Sequence, residues 1–273
     1  MRPRRLRPPP INLLVPNGVT VLGICAGLTS IRFAFLGRFE AAAIALLLAM
    51  ICDALDGRLA RLLRATSEFG VQLDSLADIV NFGVAPAIVL HIWVLSEIRG
   101  AGWAVVLFFA VCCALRLARF NVGATSAEAE PATSSRFFTG MPAPAGCGVV
   151  LLPLLLSFEL GEGWWTHPLV VGAHVLVVAF LMVSRVPTFS FKAVRLKHEH
   201  VLPAMVLLAM LAALSVAYIW WVLLAVEVFY VASLPWGLRA YARDQAAPPA
   251  EADDEDEEDE EDEEDEEDEE DEE

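Results

Sequence analysis

Four aspartates, Asp53, Asp56, Asp74 and Asp78, carry the chemistry that stands out in this sequence. They sit in the stretch DALDGRLARLLRATSEFGVQLDSLAD, at successive spacings of three, eighteen and four residues. On a helix, residues at i,i+3 or i,i+4 project from one face, so each pair presents two carboxylates side by side. Long apolar stretches precede the first pair and follow the second. The acids therefore belong near the ends of helices that enter a membrane, where ionisable groups are costly and point to function. Four carboxylates facing one another repel unless cations lie between them. Oxygen-only ligands suit hard divalent ions such as Mg²⁺ or Mn²⁺.

The residues around the acids fit a ligand that approaches closely. Gly57 follows Asp56, and Ala60 falls one turn later; small side chains there let a ligand or a helix near the backbone. Arg58 and Arg64 obey the positive-inside bias, whereas Arg61 lies among the acids and can hold a carboxylate or bind a phosphate. Thr66, Ser67 and Gly70 form the link into the next span, which places Asp74 and Asp78 in its first two turns, where a helix N-terminus favours negative charge. Asn81, Gly83 and Pro86 predict a bend or close packing beside the site. Upstream, Pro16-Asn17-Gly18-Val19-Thr20 opens the first span; Asn17 and Thr20 either cap it or present polar groups to a ligand at headgroup level. Downstream, Arg116 and Arg119 share a face at i,i+3. Two loops, residues 121–142 and the segment SRVPTFSFK at 184–192, either anchor at the interface or together form a positive pocket for an anionic substrate. His198-Glu199-His200 does not put two histidines on one helix face, and no GxSxG, HExxH or Walker A pattern occurs.

The elements that must position these residues are membrane spans. The chain of 273 residues is 56% hydrophobic and 20% charged. Eight stretches are long enough to cross a bilayer: about 17–36, 40–57, 76–97, 102–120, 143–160, 167–185, 201–217 and 219–236. All seven tryptophans fall near expected span ends. With the N-terminus in the cytoplasm, sixteen basic residues lie at that face, only Arg38 and Arg99 lie outside, and Arg32 sits within the first span. This orientation puts both chain ends and the four acids on the cytoplasmic side. The expected fold is all-α, a polytopic membrane helix bundle, with a basic N-terminus (1–15), a membrane domain (16–243) and a disordered acidic tail (244–273).

Bulk charge is a property of that tail. Residues 251–273 hold 22 of the 36 acidic residues and no basic ones, leaving 14 acidic against 19 basic residues elsewhere. Its self-repulsion predicts disorder, and its sign argues against nucleic-acid binding. The five cysteines, Cys25, Cys52, Cys112, Cys113 and Cys147, lie in apolar stretches without CxxC spacing and read as small hydrophobes. Residues 1–10 are basic but lead into a long span without an evident cleavage site, so no cleavable signal peptide is expected.

The acidic stretch fills the pattern D-x2-D-G-x2-A-R-x8-G-x3-D-x3-D with Asp53, Asp56, Gly57, Ala60, Arg61, Gly70, Asp74 and Asp78. Eight fixed positions at fixed gaps resemble, without departure, the signature of the CDP-alcohol phosphotransferases. Outside it, PNGVT, FGVQLDSLADIVNFGVAPA, RLARFN, FTGMPAPA and SRVPTFSFK, in order over residues 16–192, resemble the integral-membrane branch that takes L-serine as acceptor and CDP-diacylglycerol as donor. The resemblance implies transfer of the phosphatidyl group by direct displacement, with release of CMP. It implies that Asp53, Asp56 and Asp74 ligate two divalent ions, Mg²⁺ or Mn²⁺, and that Asp78 contacts an ion and acts as general base. It further implies that Gly57, Ala60, Arg61, Ser67 and Gly70 line the CDP site with Asn17 and Thr20 nearby, and that the protein is a homodimer.

Two other readings stay open at this point. The same chemistry with glycerol 3-phosphate, an inositol phosphate or choline as acceptor is compatible with the motif, which handles only the shared CDP half. Arg119, Arg136 and Arg185 are the residues expected to see the serine carboxylate. A cation transporter also fits paired intramembrane acids, but leaves Gly57, Ala60, Arg61 and Gly70 without a purpose.

Overall fold

The computed structural model describes residues 11–125, 137–184, 187–189 and 217–246, with isolated positions between 205 and 214. The basic residues 1–10, Arg136, Arg185, the histidines at 198 and 200, most of the expected seventh span and the acidic tail lie outside the described residues.

Nine helices are described: α1 (Ile11–Phe35), α2 (Phe39–Leu62), α3 (Glu68–Asp78), α4 (Ala85–Trp93), α5 (Arg99–Thr125), α6 (Ala143–Val150), α7 (Leu152–Leu160), α8 (Pro168–Val183) and α9 (Ile219–Ala246). A two-stranded antiparallel ribbon, β1 (Phe137–Thr139) with β2 (Pro187–Phe189), is the addition to the all-helical expectation. It pairs Phe138 with Thr188 and ties together the two cationic-aromatic loops.

Among the described residues, four stretches are long and apolar enough to cross a membrane: Leu14–Phe35, Glu68–Trp93, Leu95–Val122 and Ala143–Leu160. Pro168–Val183 and Ile219–Leu234 are shorter apolar helices. The expected second span corresponds to α2, whose 24 residues extend about 36 Å. Its last turns carry Asp53, Asp56, Arg58 and Arg61, so its apolar part is short.

Small residues let α1 and α2 pack closely. The buried positions of α1, Gly23, Gly27, Ser30 and Ala34, recur at helical spacing and meet Ala42, Ala45, Leu46 and Ala49 of α2. A Cβ at Gly23 would lie 3.2 Å from that of Cys52, and one at Gly27 would overlap the Asn81 side-chain amide. The helix of α1 also begins earlier than expected. Pro16 is inside it rather than in its first turn, so Asn17 and Thr20 do not cap it.

A tight reversal joins α2 to α3. Arg64 takes φ +50°, and the Ala65 N–H returns to the Ala60 carbonyl at 2.8 Å, closing α2 with a left-handed residue. Ser67 then caps α3, its Oγ accepting from the Gly70 N–H at 3.0 Å. Because α3 starts at Glu68, Asp74 and Asp78 lie in its second and third turns rather than its first two. Directly after Asp78 the helix widens into a π turn over Ile79–Val84, with the Ala85 N–H bonded to the Val80 carbonyl, and Pro86 follows. The wider turn accommodates a proline whose ring excludes ordinary helical bonding. Of the bend or close packing expected from Asn81, Gly83 and Pro86, the close packing is seen: Gly83 is pressed against Cys113 of α5.

Replacing Gly27 by Ala is expected to cost about 1–3 kcal/mol through overpacking against Asn81. Gly18, with nothing near its missing Cβ, is the control: Gly18→Ala should leave the thermal midpoint in detergent unchanged or slightly raised, while Gly27→Ala lowers it.

Candidate active site

The end of α2, the later turns of α3 and the N-terminal half of α1 converge on the four acids. Asp53, Asp56 and Asp74 each offer a carboxylate oxygen, and these oxygens lie within 4.8 Å of one another. Asp56 is only 4% exposed. The Thr20 hydroxyl donates to Asp56 Oδ2 at 2.6 Å; the Pro16 carbonyl, at 3.1 Å, is a weaker competitor for the single hydroxyl hydrogen. Thr20 therefore orients a carboxylate. Asp78 contacts Asp53 side chain to side chain, and its Oδ1 is buried without a hydrogen-bond partner.

At an effective dielectric of about 20, two like charges 4.8 Å apart repel by about 3 kcal/mol per pair. No described lysine or arginine forms an ion pair with this cluster. The donor set, several close carboxylate oxygens with one orphaned buried oxygen beside them, fits hard divalent cations. Asp53, Asp56 and Asp74 would hold them, with Asp78 at the edge.

A cavity of about 210 Å³ opens beside the acids. Its lining includes all seven residues expected at the nucleotide site: Asn17, Thr20, Gly57, Ala60, Arg61, Ser67 and Gly70. The glycines have distinct geometric reasons. A Cβ at Gly70 would lie 3.0 Å from Asn17 Oδ1 and 3.2 Å from Ser67 Oγ, so glycine lets α1 and the α3 cap meet. At Gly57 only Arg61 Nη1 comes as near as 4.0 Å, so this glycine leaves cavity space open rather than serving helix packing. Arg61 is exposed at the rim and makes no ion pair with the acids among the described residues; its guanidinium is available to a ligand.

Of the three arginines expected to meet the acceptor, Arg119 is exposed, and its Nη1 donates to the Val183 carbonyl at 3.3 Å. It joins the ends of α5 and α8 rather than the acids. Arg136 and Arg185 lie outside the described residues. One turn earlier, Arg116 is half-buried, within electrostatic reach of Asp78, and its Nε lacks a hydrogen-bond partner. Asn121 of α5 donates to Ser75 Oγ at 2.9 Å, bracing the acid-bearing face of α3. Arg116 is one of the residues that spacing alone did not bring to the site. Glu227, half-buried in the apolar Ile219–Leu234, is the other; a lone acid in an apolar helix was its available signal.

Comparison with known proteins decides the family. The sequence model of CDP-alcohol phosphatidyltransferase matches residues 13–183. The chain belongs to the CDP-alcohol phosphatidyltransferase family. Among curated relatives it is 41% identical over 231 residues to a CDP-diacylglycerol–serine O-phosphatidyltransferase from Mycobacterium tuberculosis, covering 84% of this chain and 80% of that one. A protein of the same name from Helicobacter pylori is 37% identical over 190 residues, 68% of this chain and 77% of that one. One from Saccharomyces cerevisiae is 37% identical over 148 residues, about half of each chain. The family match contains all four acids and every residue of the cavity; α9 lies beyond it.

Divalent cations should stabilise the family's acid cluster in this chain. Mn²⁺ at a hundred times its dissociation constant is expected to add about 2.7 kcal/mol to unfolding, read as a raised thermal midpoint that chelator reverses. Asp74→Asn should flatten that response; an undiminished response would place the ions elsewhere.

Proposed function

We propose that this protein transfers the phosphatidyl group of CDP-diacylglycerol to the hydroxyl of L-serine, giving phosphatidylserine and CMP. The observation that carries the reading is the meeting of a three-carboxylate cluster with a cavity lined by all seven residues of the nucleotide pattern. Family membership supports the chemistry, and the names of the relatives support serine as acceptor.

The chain's own residues account for each requirement. The cavity takes the CDP half of the donor: Gly57, Ala60 and Gly70 leave room near the backbone, and Arg61 offers a bidentate guanidinium to phosphate. Thr20 fixes Asp56 so that the carboxylates of Asp53, Asp56 and Asp74 present a constant ligand face. Two divalent ions, Mg²⁺ or Mn²⁺, would neutralise pyrophosphate charge and polarise the phosphorus when bound. Asp78 accepts the proton of the serine hydroxyl at its unpartnered Oδ1. The serine Oγ–P bond forms as the bond from that phosphorus to the CMP oxygen breaks, and CMP leaves with the electron pair. The apolar helices on the other side of the acids keep the diacylglycerol in the bilayer.

In this reading the protein is integral to the cell membrane, with the site and both chain ends on the cytoplasmic face. The sixteen-to-two distribution of basic residues supports that sidedness. A homodimer is part of the reading on family resemblance.

Membranes containing the protein, supplied with CDP-diacylglycerol, Mn²⁺ and labelled L-serine, are expected to yield labelled lipid and CMP. Absence of lipid label overturns the reading, and label from glycerol 3-phosphate, an inositol phosphate or choline instead reassigns the acceptor. Asp78→Asn should lower kcat by about 10²–10⁴-fold while CDP-lipid binding persists; near-normal turnover would remove Asp78 as the base.

A further inference from the structure

Polar groups that the mechanism does not use gather between α5, α6 and α9. Arg116 Nε and the Tyr230 hydroxyl are buried and have no hydrogen-bond partner, as is Asp78 Oδ1 beside them. Arg116 lies within electrostatic reach of both Asp78 and Tyr230, and Tyr230 within reach of Glu227. Glu227 fills the space that a side chain on Gly148 would occupy, so α6 is indented where this carboxylate enters the bundle. It is the lone charged residue of the apolar Ile219–Leu234, and among the described residues it forms no ion pair. Leaving a guanidinium Nε and a phenol hydroxyl buried without partners costs stability that packing alone does not return.

We propose that Arg116, Tyr230 and Glu227 form the subsite for the acceptor amino acid, Arg116 taking its carboxylate and Glu227 its ammonium. The inference rests on the transferase reading above and names the residues that give it serine specificity. A free amino acid is a small zwitterion; it brings one partner for a guanidinium and one for a carboxylate at a separation of a few ångströms. Its hydroxyl then points to Asp78, an acid within electrostatic reach of Arg116. Tyr230, one helical turn beyond Glu227, stands between the two charged residues and supplies a hydroxyl to either end of the ligand. The same charges select against other alcohols. Glycerol 3-phosphate and inositol phosphates would bring a dianion toward Glu227, and choline offers nothing to Arg116; mismatched charges at a desolvated site are strong discriminators. Arg119, exposed and bonded to Val183, is left to position the helix ends.

The experiment uses the full-length protein in detergent with CDP-diacylglycerol and Mn²⁺. Three acceptors are compared: L-serine, ethanolamine (no carboxylate) and 3-hydroxypropionate (no amine). Glu227→Gln should raise the serine KM by about tenfold or more, leave the CDP-diacylglycerol KM nearly unchanged, and narrow the preference for serine over 3-hydroxypropionate. Arg116→Gln should instead narrow the preference for serine over ethanolamine. Equal loss toward all three acceptors, with both preferences intact, overturns the subsite and makes these residues structural. Should either variant fail to fold, ligand-dependent melting of the unaltered protein decides: serine should raise the midpoint more than either analogue, and equal shifts overturn the proposal. Unaltered protein that transfers nothing to serine overturns the transferase reading itself; unaltered protein that does so while Glu227→Gln keeps its serine KM overturns the subsite alone.

Discussion

Carboxylates forced within 4.8 Å of one another at the end of an apolar bundle are the constraint on which this structure turns. Each close pair costs about 3 kcal/mol until positive charge enters. The fold sustains that cost by making the surrounding helices unable to separate. Glycines of α1 bring its backbone against α2 and Asn81, the reversal at Arg64 sets α3 beside the end of α2, and Thr20 grips Asp56 across the first interface. The repulsion is therefore kept in place for a cation to relieve.

The same packing brings two groups of residues to the acids. Beside the α2–α3 turn, small residues and Arg61 leave a cavity suited to a nucleotide and its phosphates. Toward the bundle interior, Arg116, Tyr230 and Glu227 present charges suited to a zwitterion. The π turn begins at Ile79, immediately after the acid on which both groups converge. The wide turn lets Gly83 rest on Cys113, which carries α5 and Arg116 to the site.

The part of the site read from spacing is the part built from local sequence. Asp53 with Asp56, and Asp74 with Asp78, are each one helical turn apart, and the loop between α2 and α3 is too short to let the pairs diverge. Asn81, Gly83 and Pro86 likewise announce close packing, though not the π turn that accompanies it. Long-range packing was less legible. Nothing local showed that Pro16 would lie within α1, or that Thr20 would reach across 36 positions to Asp56. Arg116 and Arg119 share a helix face by spacing, yet they meet different neighbours: Arg116 lies within reach of Asp78 and of Tyr230 on α9, whereas Arg119 donates to the Val183 carbonyl at the end of α8. The second span, expected at about 40–57, is not among the described helices apolar enough to cross a membrane, because the acids that give it purpose also dilute its apolar character.

A buried carboxylate with a free oxygen can accept a proton or attack phosphorus itself, and the two roles leave different traces. Direct attack by the serine hydroxyl, with Asp78 as base, inverts the configuration at phosphorus; attack by a carboxylate, followed by transfer of the phosphatidyl group to serine, inverts twice and retains it. The decisive measurement is the stereochemical outcome with CDP-diacylglycerol made chiral at the lipid-bearing phosphorus by isotopic or sulfur substitution. Inversion in the phosphatidylserine product is the result expected of single displacement at the four-aspartate site. Retention would contradict it, assigning one of these acids to a covalent phosphatidyl intermediate.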